Sequence, residues 1–311
     1  MSAHVVGICG CGQMGAAAAV SFKRAGYRVL AWTRSSQKAS AIEGTVAELE
    51  TWMERHVGPP PRGGGAIEVL SDLGPIDRDA DFVMDCIAED MEEKAALFRR
   101  LTRAAGREAI FLTTTSGLSI TDLGRRSGTA RQIVGTHFWN PPHLMPLVEV
   151  IRGQDTDERA MDRVVELVRS IGKIPVRVNR DVPGFIGNRL LHALWREAIS
   201  LVERGIASPA DVDRVARLTF GLRLPAVGPL ENMDLVGLDL VHTIHGYLLA
   251  DLADDHGPQK LLGDHVKSGE LGMKSGRGFY DWRERDPKEL VERRDRQIVH
   301  QLEFLRELEA L

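Results

Sequence analysis

The 311-residue chain is short of cysteine, of aromatic residues and of net charge, and it has no long apolar run. Its three cysteines are Cys9, Cys11 and Cys86. Cys9 and Cys11 are too close to bridge comfortably, and no His/Cys cluster accompanies them. A disulfide framework and a metal site are therefore not expected, and the thiols read as small packing residues in a reducing compartment. A net charge of −4 gives no electrostatic footprint for nucleic acid or an anionic membrane. No apolar stretch reaches the roughly 18 residues needed to span a bilayer. The N-terminus runs straight into a strand-like stretch, His4–Ile8, with no basic region or cleavage site, so the expected location is the cytoplasm. What remains, 43% hydrophobic and 27% charged, is the composition of a globular protein. The length exceeds what one hydrophobic core usually holds, so two domains are expected.

Short apolar runs alternate with helical patterns through the first half. Val5–Ile8 reads as a strand, Met14–Ala25 as a helix, Arg28–Trp32 as a strand and Ala39–His56 as a helix. The segment Gly58–Gly65 (GPPPRGGG) breaks any regular element. Ala66–Leu70, Phe82–Ile87, Ile110–Thr113 and Ile133–His137 follow as strands, and Val148–Ile151 and Ile174–Val178 complete the set. Strands alternating with helices imply βαβ units and a doubly wound, mainly parallel sheet. After Pro183 the pattern changes. Phe185–Arg204 reads as a long amphipathic helix stopped by Gly205, and Ser208 caps a helix that starts with Pro209. No convincing strand follows, and Asp286–Leu311 closes the chain as an amphipathic helix. The expected architecture is an α/β Rossmann domain over residues 1–182 and an all-α domain over 183–311.

Gly10-Cys11-Gly12-Gln13-Met14-Gly15 is a GxGxxG between the first strand and the first helix. Gly10 permits the turn, Gly12 lets a pyrophosphate approach the backbone, and Gly15 lets the helix pack on the sheet. The helix N-terminus adds free N–H groups and partial positive charge. The motif, with Gln13 and Met14 opening the helix, points to a nicotinamide dinucleotide. At the end of the second strand an NAD-selective site usually carries an acid for the ribose hydroxyls. Here the sequence reads Thr33-Arg34-Ser35-Ser36. Arg34 can pair with an extra phosphate and the serines can donate to it, so NADP(H) is expected over NAD(H). The alternative is NAD bound without the acidic contact, with Arg34 as a solvated surface residue.

Hydride exchange at a secondary alcohol needs a group that takes and returns the hydroxyl proton. A neutral imidazole suits this, and a carboxylate on its other nitrogen selects the tautomer. The block Gly135-Thr136-His137-Phe138-Trp139-Asn140-Pro141-Pro142-His143-Leu144-Met145-Pro146-Leu147-Val148-Glu149-Val150 places His137 at a strand end and Glu149 on the returning strand. By spacing alone, a strand-end histidine is more often structural than catalytic.

This block resembles the signature of the 3-hydroxyacyl-CoA dehydrogenase family (3-hydroxybutyryl-CoA dehydrogenase and lambda-crystallin type). So do five others, in order: Ile87-Ala88-Glu89-Asp90 with Lys94; Thr114–Ile120; Asp181–Leu190; Gly228-Pro229 with Asp234 and Val236–Asp239; and Gly272–Tyr280. The resemblance covers nearly the whole chain. It implies that His137 is the acid/base, that Glu149 orients it, and that Ser116 and Asn188 hydrogen-bond the reacting oxygen and the substrate carbonyl. Hydroxyl and amide donors are chemically suited to that task. Glu89 and Lys94 are implied near the cofactor. A helix starting near Ile120 offers Ser116 a capping role instead, and Asn188 could bind backbone only. The family analogy and the apolar stripe of the last helix also lead us to expect a homodimer.

Three features depart from the family. The acid after the second strand is missing. The stretch 35–80, where the family carries lysines that resemble a CoA-phosphate site, holds four basic against eight acidic side chains. Thr114 stands where asparagine is usual, and the NPPH turn looks more like that of relatives acting on free carboxylates. The expected function is an NADP(H)-preferring oxidoreductase of a 3-hydroxyacyl or 3-hydroxyacid substrate. The alternatives are a dehydrogenase of a non-CoA alcohol, such as a carnitine-like or pyridine carboxylate, and a non-catalytic, crystallin-like dinucleotide binder. A lysine-based β-hydroxyacid dehydrogenase is disfavoured because the helix after Pro183 presents Asn188, Arg189 and His192 but no lysine.

Overall fold

The structure, a computed structural model, describes residues 4–35, 39–60, 64–104 and 109–308. The chain begins with β1 (Val5–Cys9), α1 (Gln13–Arg24), β2 (Arg28–Trp32), α2 (Ala39–His56), β3 (Ala66–Leu70), α3 (Gly74–Asp79) and β4 (Phe82–Asp85). It continues with α4 (Met91–Ala104), β5 (Ile110–Thr113), α5 (Ile120–Ser127), β6 (Ile133–Phe138), β7 (Leu147–Arg152), α6 (Glu158–Ser170) and β8 (Ile174–Val178). The eight strands form one sheet in the order β3-β2-β1-β4-β5-β6-β7-β8. All neighbours are parallel except β6 and β7, which are antiparallel.

The two faces of the sheet follow from period-two side-chain alternation. Val6, Ile8, Phe82, Met84, Ile110 and Leu112 face one core, with Phe22 of α1 and Val164 and Val168 of α6. Val83 and Phe111 face the other, with Phe98 of α4 and Leu123 of α5. The four-alanine run Ala16–Ala19 buries completely and lets α1 lie close to the strands. The chain leaves β1 for β2 and β3 on one side, then crosses to β4 on the other. The carboxyl ends of β1 and β4 therefore flank the crevice where doubly wound sheets bind ligands.

Helix ends follow their local chemistry. Ser119 caps α5 by accepting the Asp122 N–H at 3.1 Å, and Gly128, with φ of 77°, ends it. β4 stops at Asp85, short of the expected Ile87. The Cys86 N–H still reaches the Cys9 carbonyl at 2.7 Å, and the chain then turns toward α4.

Contacts divide the chain into one unit of residues 1–188 and a second of 189–311. The second contains most of α7 (Gly187–Glu203), then α8 (Pro209–Leu218), α9 (Phe220–Arg223), α10 (Pro229–Val236), α11 (Leu238–Leu248), α12 (Lys260–Lys267) and α13 (Pro287–Glu307). α7 begins two residues later than its apolar pattern predicts. Phe185 has φ of 50°, a left-handed conformation incompatible with the helix. Ser208 caps α8 with Pro209 at its first position. In this unit Tyr280 donates to Asp213 at 2.5 Å, and isolated bridges join Arg277 to Gly272 and Asp281. None of its described apolar side chains is buried. Among the described residues, no helix is long and apolar enough to cross a membrane.

Candidate active site

Each glycine of the dinucleotide motif is required for a different reason. Gly10 has φ of 101°, and a Cβ there would lie 2.6 Å from the Cys86 carbonyl oxygen. A Cβ on Gly15 would lie 2.0 Å from the Gly10 carbonyl oxygen, so only glycine lets α1 start this close to β1. A Cβ on Gly12 would meet nothing within 4 Å. The fold does not require glycine at that position, and the open space beside it suits a pyrophosphate. α1 has neither a side-chain cap nor an acid in its first turn, so its first N–H groups remain available to an anion.

These residues open onto a cleft of about 710 Å³ lined by Gly10, Gly12, Gln13, Thr33, Arg34 and Ser35. The expected residues Met14, Gly15, Glu89 and Lys94 do not line it. Cys11, Trp32, the run Cys86–Ala88, and Ala41, Ile42 and Thr45 of α2 do, and sequence reasoning missed them. The Cys86–Ala88 run could have been found, since it follows the strand at the topological switch. The α2 residues carried no charge and belonged to no motif that could mark them. Burial pushes the Cys11 thiol up to about 11 and the Cys86 thiol up to about 12, so both stay protonated. Thr33 is buried, with its N–H on the Leu70 carbonyl at 3.0 Å. Arg34 is exposed and lies 3.5 Å from Glu93 of α4. Ser36 lies outside the described residues. The cleft, the glycine cradle and the uncapped helix fit a nicotinamide dinucleotide.

Glu89 and Lys94 lie beside this cleft in a network of their own. Lys94 is 1% exposed, and its ammonium donates to Asp85 with Glu89 at 3.5 Å. It therefore faces inward, spent on two carboxylates, rather than into the cleft as expected. Burial pushes the Asp85 carboxyl up, and Lys94 opposes that shift. Glu89 accepts the Thr115 hydroxyl and the Ser116 N–H, the latter at 3.0 Å. Together Asp85, Lys94 and Glu89 fix the loop that carries Ser116.

The antiparallel register of β6 and β7 sets His137 opposite Glu149. Their side chains meet at 2.6 Å between Nδ1 and Oε2. Both are buried, and the His137 ring lies edge-on to Trp139 at 5.0 Å and beside Phe185 at 5.6 Å. A proton on Nδ1 directed at the carboxylate leaves Nε2 as the acceptor for a reacting hydroxyl. The other oxygen of Glu149, Oε1, accepts the N–H groups of Ile186 at 2.9 Å and Gly187 at 3.0 Å. Burial pushes the Glu149 carboxyl up, but the hydrogen bonds from His137, Gly187 and Ile186 outweigh it and hold the group below the usual carboxylate range.

Asn188 follows Gly187 directly, and its Nδ2 donates to the Ser116 carbonyl at 3.1 Å. Asn188 thus does bind backbone, and in doing so it draws the Ser116 loop to the start of α7. Ser119, not Ser116, caps α5. One short segment, 186–188, therefore connects all four expected residues.

A family model described as "3-hydroxyacyl-CoA dehydrogenase, NAD binding domain" matches residues 5–182. One described as "3-hydroxyacyl-CoA dehydrogenase, C-terminal domain" matches 184–282. The chain is similar to 5-formyl-3-hydroxy-2-methylpyridine 4-carboxylate 5-dehydrogenase of Mesorhizobium japonicum, at 33% identity over 94% of this chain and 96% of the relative. It is also similar to the 3-hydroxybutyryl-CoA dehydrogenase of Clostridioides difficile, at 34% identity over 88% of this chain and 98% of the relative. Among solved structures, an NAD+-dependent dismutase with the same pyridine-carboxylate dehydrogenase activity superposes with a TM-score of 0.93. It is 31% identical, and the match covers 98% of this chain and 99% of that one. The (S)-3-hydroxybutyryl-CoA dehydrogenase of Ralstonia eutropha superposes with a TM-score of 0.74 at 29% identity, over 90% of this chain and 99% of that one.

Proposed function

The chain belongs to the 3-hydroxyacyl-CoA dehydrogenase family, and on that premise we propose that it is an NADP(H)-preferring oxidoreductase that interconverts a 3-hydroxyacyl or 3-hydroxyacid substrate and its ketone. That it is a nicotinamide-dependent enzyme acting on a CH–OH group follows from the family and from relatives named as dehydrogenases. The observation that carries the mechanism is the buried His137–Glu149 hydrogen bond at 2.6 Å. A nicotinamide dinucleotide held by Gly10, Gly12, Gln13 and the uncapped start of α1 would supply hydride transfer. In oxidation His137 accepts the hydroxyl proton at Nε2, and Glu149 stabilises the resulting imidazolium through Nδ1–H. In reduction the same nitrogen returns the proton to the forming alkoxide. Ser116 and Asn188 donate to the substrate oxygens as negative charge develops.

The cofactor preference rests on charge. No acid ends β2, and Arg34 is free to turn toward a 2′-phosphate, since a surface ion pair such as Arg34–Glu93 holds it only weakly. Arg34→Ala is expected to lower the NADPH-to-NADH ratio of kcat/KM at least ~10-fold, the worth of one charge-assisted contact. An unchanged ratio refutes the preference.

A second reading, a dehydrogenase of a non-CoA pyridine carboxylate, is favoured by one observation. The relative and the structure of that activity match over 94% and 98% of this chain. The acid excess between residues 35 and 80, which disfavours a polyphosphate, agrees with it. NADPH oxidation measured with acetoacetyl-CoA and free acetoacetate, and NADP+ or NAD+ reduction measured with a formylpyridine carboxylate, separate the readings. In each case His137→Ala is expected to reduce turnover ~10²–10⁴-fold, the range for a positioned acid/base.

A further inference from the structure

The turn before α7 is built around one carboxylate. Phe185 is the only non-glycine residue with positive φ among the described residues, and its ring is buried against His137. Backbone in this region is strained for a residue with a Cβ and persists only where its surroundings demand it. Gly184, with φ of 76°, and the Phe185 N–H bond to the Val182 carbonyl at 3.1 Å hold the turn. The consequence is that the next two N–H groups, on Ile186 and Gly187, both reach Glu149 Oε1. Oε2 is left to His137 alone. Gly187 does not have positive φ, so its backbone would accept alanine. A Cβ there, however, would lie 2.1 Å from Trp139 Cζ2.

We propose that the turn Pro183–Gly187 is a positioning device for the acid–base pair: its two amides hold the Glu149 carboxylate so that Oε2 alone serves His137, and Gly187 is required because the Trp139 indole fills the space of a side chain. This rests on the reading of His137 as the acid/base. The amides draw carboxylate charge toward Oε1. Without them more charge gathers on Oε2 and the imidazolium form is favoured, which hinders proton uptake from the alcohol. The neighbouring strand brings no free charge to Glu149 among the described residues. β8 sets Val176 opposite it, Arg177 pairs with Glu158 and Asp162, and Lys173 donates to the Met145 carbonyl at 2.7 Å.

The test is a double-mutant cycle on the full chain with Gly187→Ala and Trp139→Phe. Gly187→Ala is expected to lower kcat ~10-fold and move the acid limb of kcat/KM for alcohol oxidation up by ~0.5–1 pH unit, as for loss of one hydrogen bond to a carboxylate. In the cofactor-free protein, the Glu149 carboxyl carbon followed by ¹³C NMR should titrate at higher pH. Adding Trp139→Phe should restore both. A fall in kcat with the acid limb and the carboxyl titration unmoved would mean that the effect runs through the adjacent Asn188, and the proposal fails. Phe185→Gly and Phe185→Val provide a second test, since both remove the ring but only valine resists the left-handed backbone. The acid limb should shift in the valine variant and not in the glycine variant, and equal limbs overturn the proposal. The two levels fail separately. Full turnover in His137→Ala removes the acid–base reading, while the Glu149 titration still tests the clamp.

Discussion

Individual buried polar residues in this protein are held by a few named partners, and their titration follows. Glu149 is stabilised as an anion in the fold. Its contribution is present above the ordinary carboxylate range and is lost as pH falls through its depressed folded value. Lys173 is the opposite case. It is nearly buried, its ammonium donates to the Met145 carbonyl, and burial pulls it down to about 8. The unfolded chain keeps that proton to higher pH than the fold does, so stability rises as pH rises through about 8 toward the ordinary lysine value. The gain in unfolding free energy between pH 7 and 10 is expected to be up to ~3 kcal/mol from this group. Lys173→Met should flatten that part of the urea-denaturation profile, and an unchanged slope refutes the assignment. These roles were only partly legible. His137 and Glu149 could be named from their block. Lys94 could be named but not placed, because only the folded chain shows Asp85 waiting for its ammonium.

Elements obey the same local logic, and the first βαβ unit shows it most clearly. Gly12 and Gly15 belong to one motif yet answer to different demands. Gly15→Ala forces a Cβ into the Gly10 carbonyl, so it should lower the melting temperature and weaken dinucleotide binding together. Gly12→Ala adds a methyl group to open space, so the melting temperature should be unchanged while dinucleotide affinity falls ~10-fold or more, as expected where backbone must approach a phosphate. Calorimetry and fluorescence titration check both, and a melting temperature lowered equally in the two variants contradicts this division. The strands were readable because buried β-strands of a parallel sheet are continuous apolar runs, as Phe82–Met84 and Ile110–Leu112 are. The start of α7 was not. Phe185 and Ile186 fit the helical apolar pattern, and what excludes them is the fit of the Phe185 ring beside His137 and of two amides on Glu149.

At the scale of the whole molecule the two units differ sharply. The first has two apolar cores around its sheet, whereas the second buries none of its described apolar side chains. Leu230 is 73% exposed, Leu235 75% and Tyr247 68%. Helices do not keep such surfaces in water without a partner, and the proposed partner is a second copy of this chain. Light scattering should give twice the mass of one chain, and Leu235→Glu should lower both that mass and the melting temperature. A monomeric wild type refutes the proposal. The sequence by itself determined the Rossmann architecture, the dinucleotide motif and the block that carries the proposed acid–base pair. Periodic burial and glycine-dependent turns act over a few neighbouring residues and are written in their order. Only the tertiary structure decided that His137 meets Glu149 through an antiparallel register, that Lys94 turns inward to Asp85, and that a strained turn at Phe185 aims two amides at one oxygen. Each of these joins residues far apart in the chain, and their distances exist only after the sheet has formed.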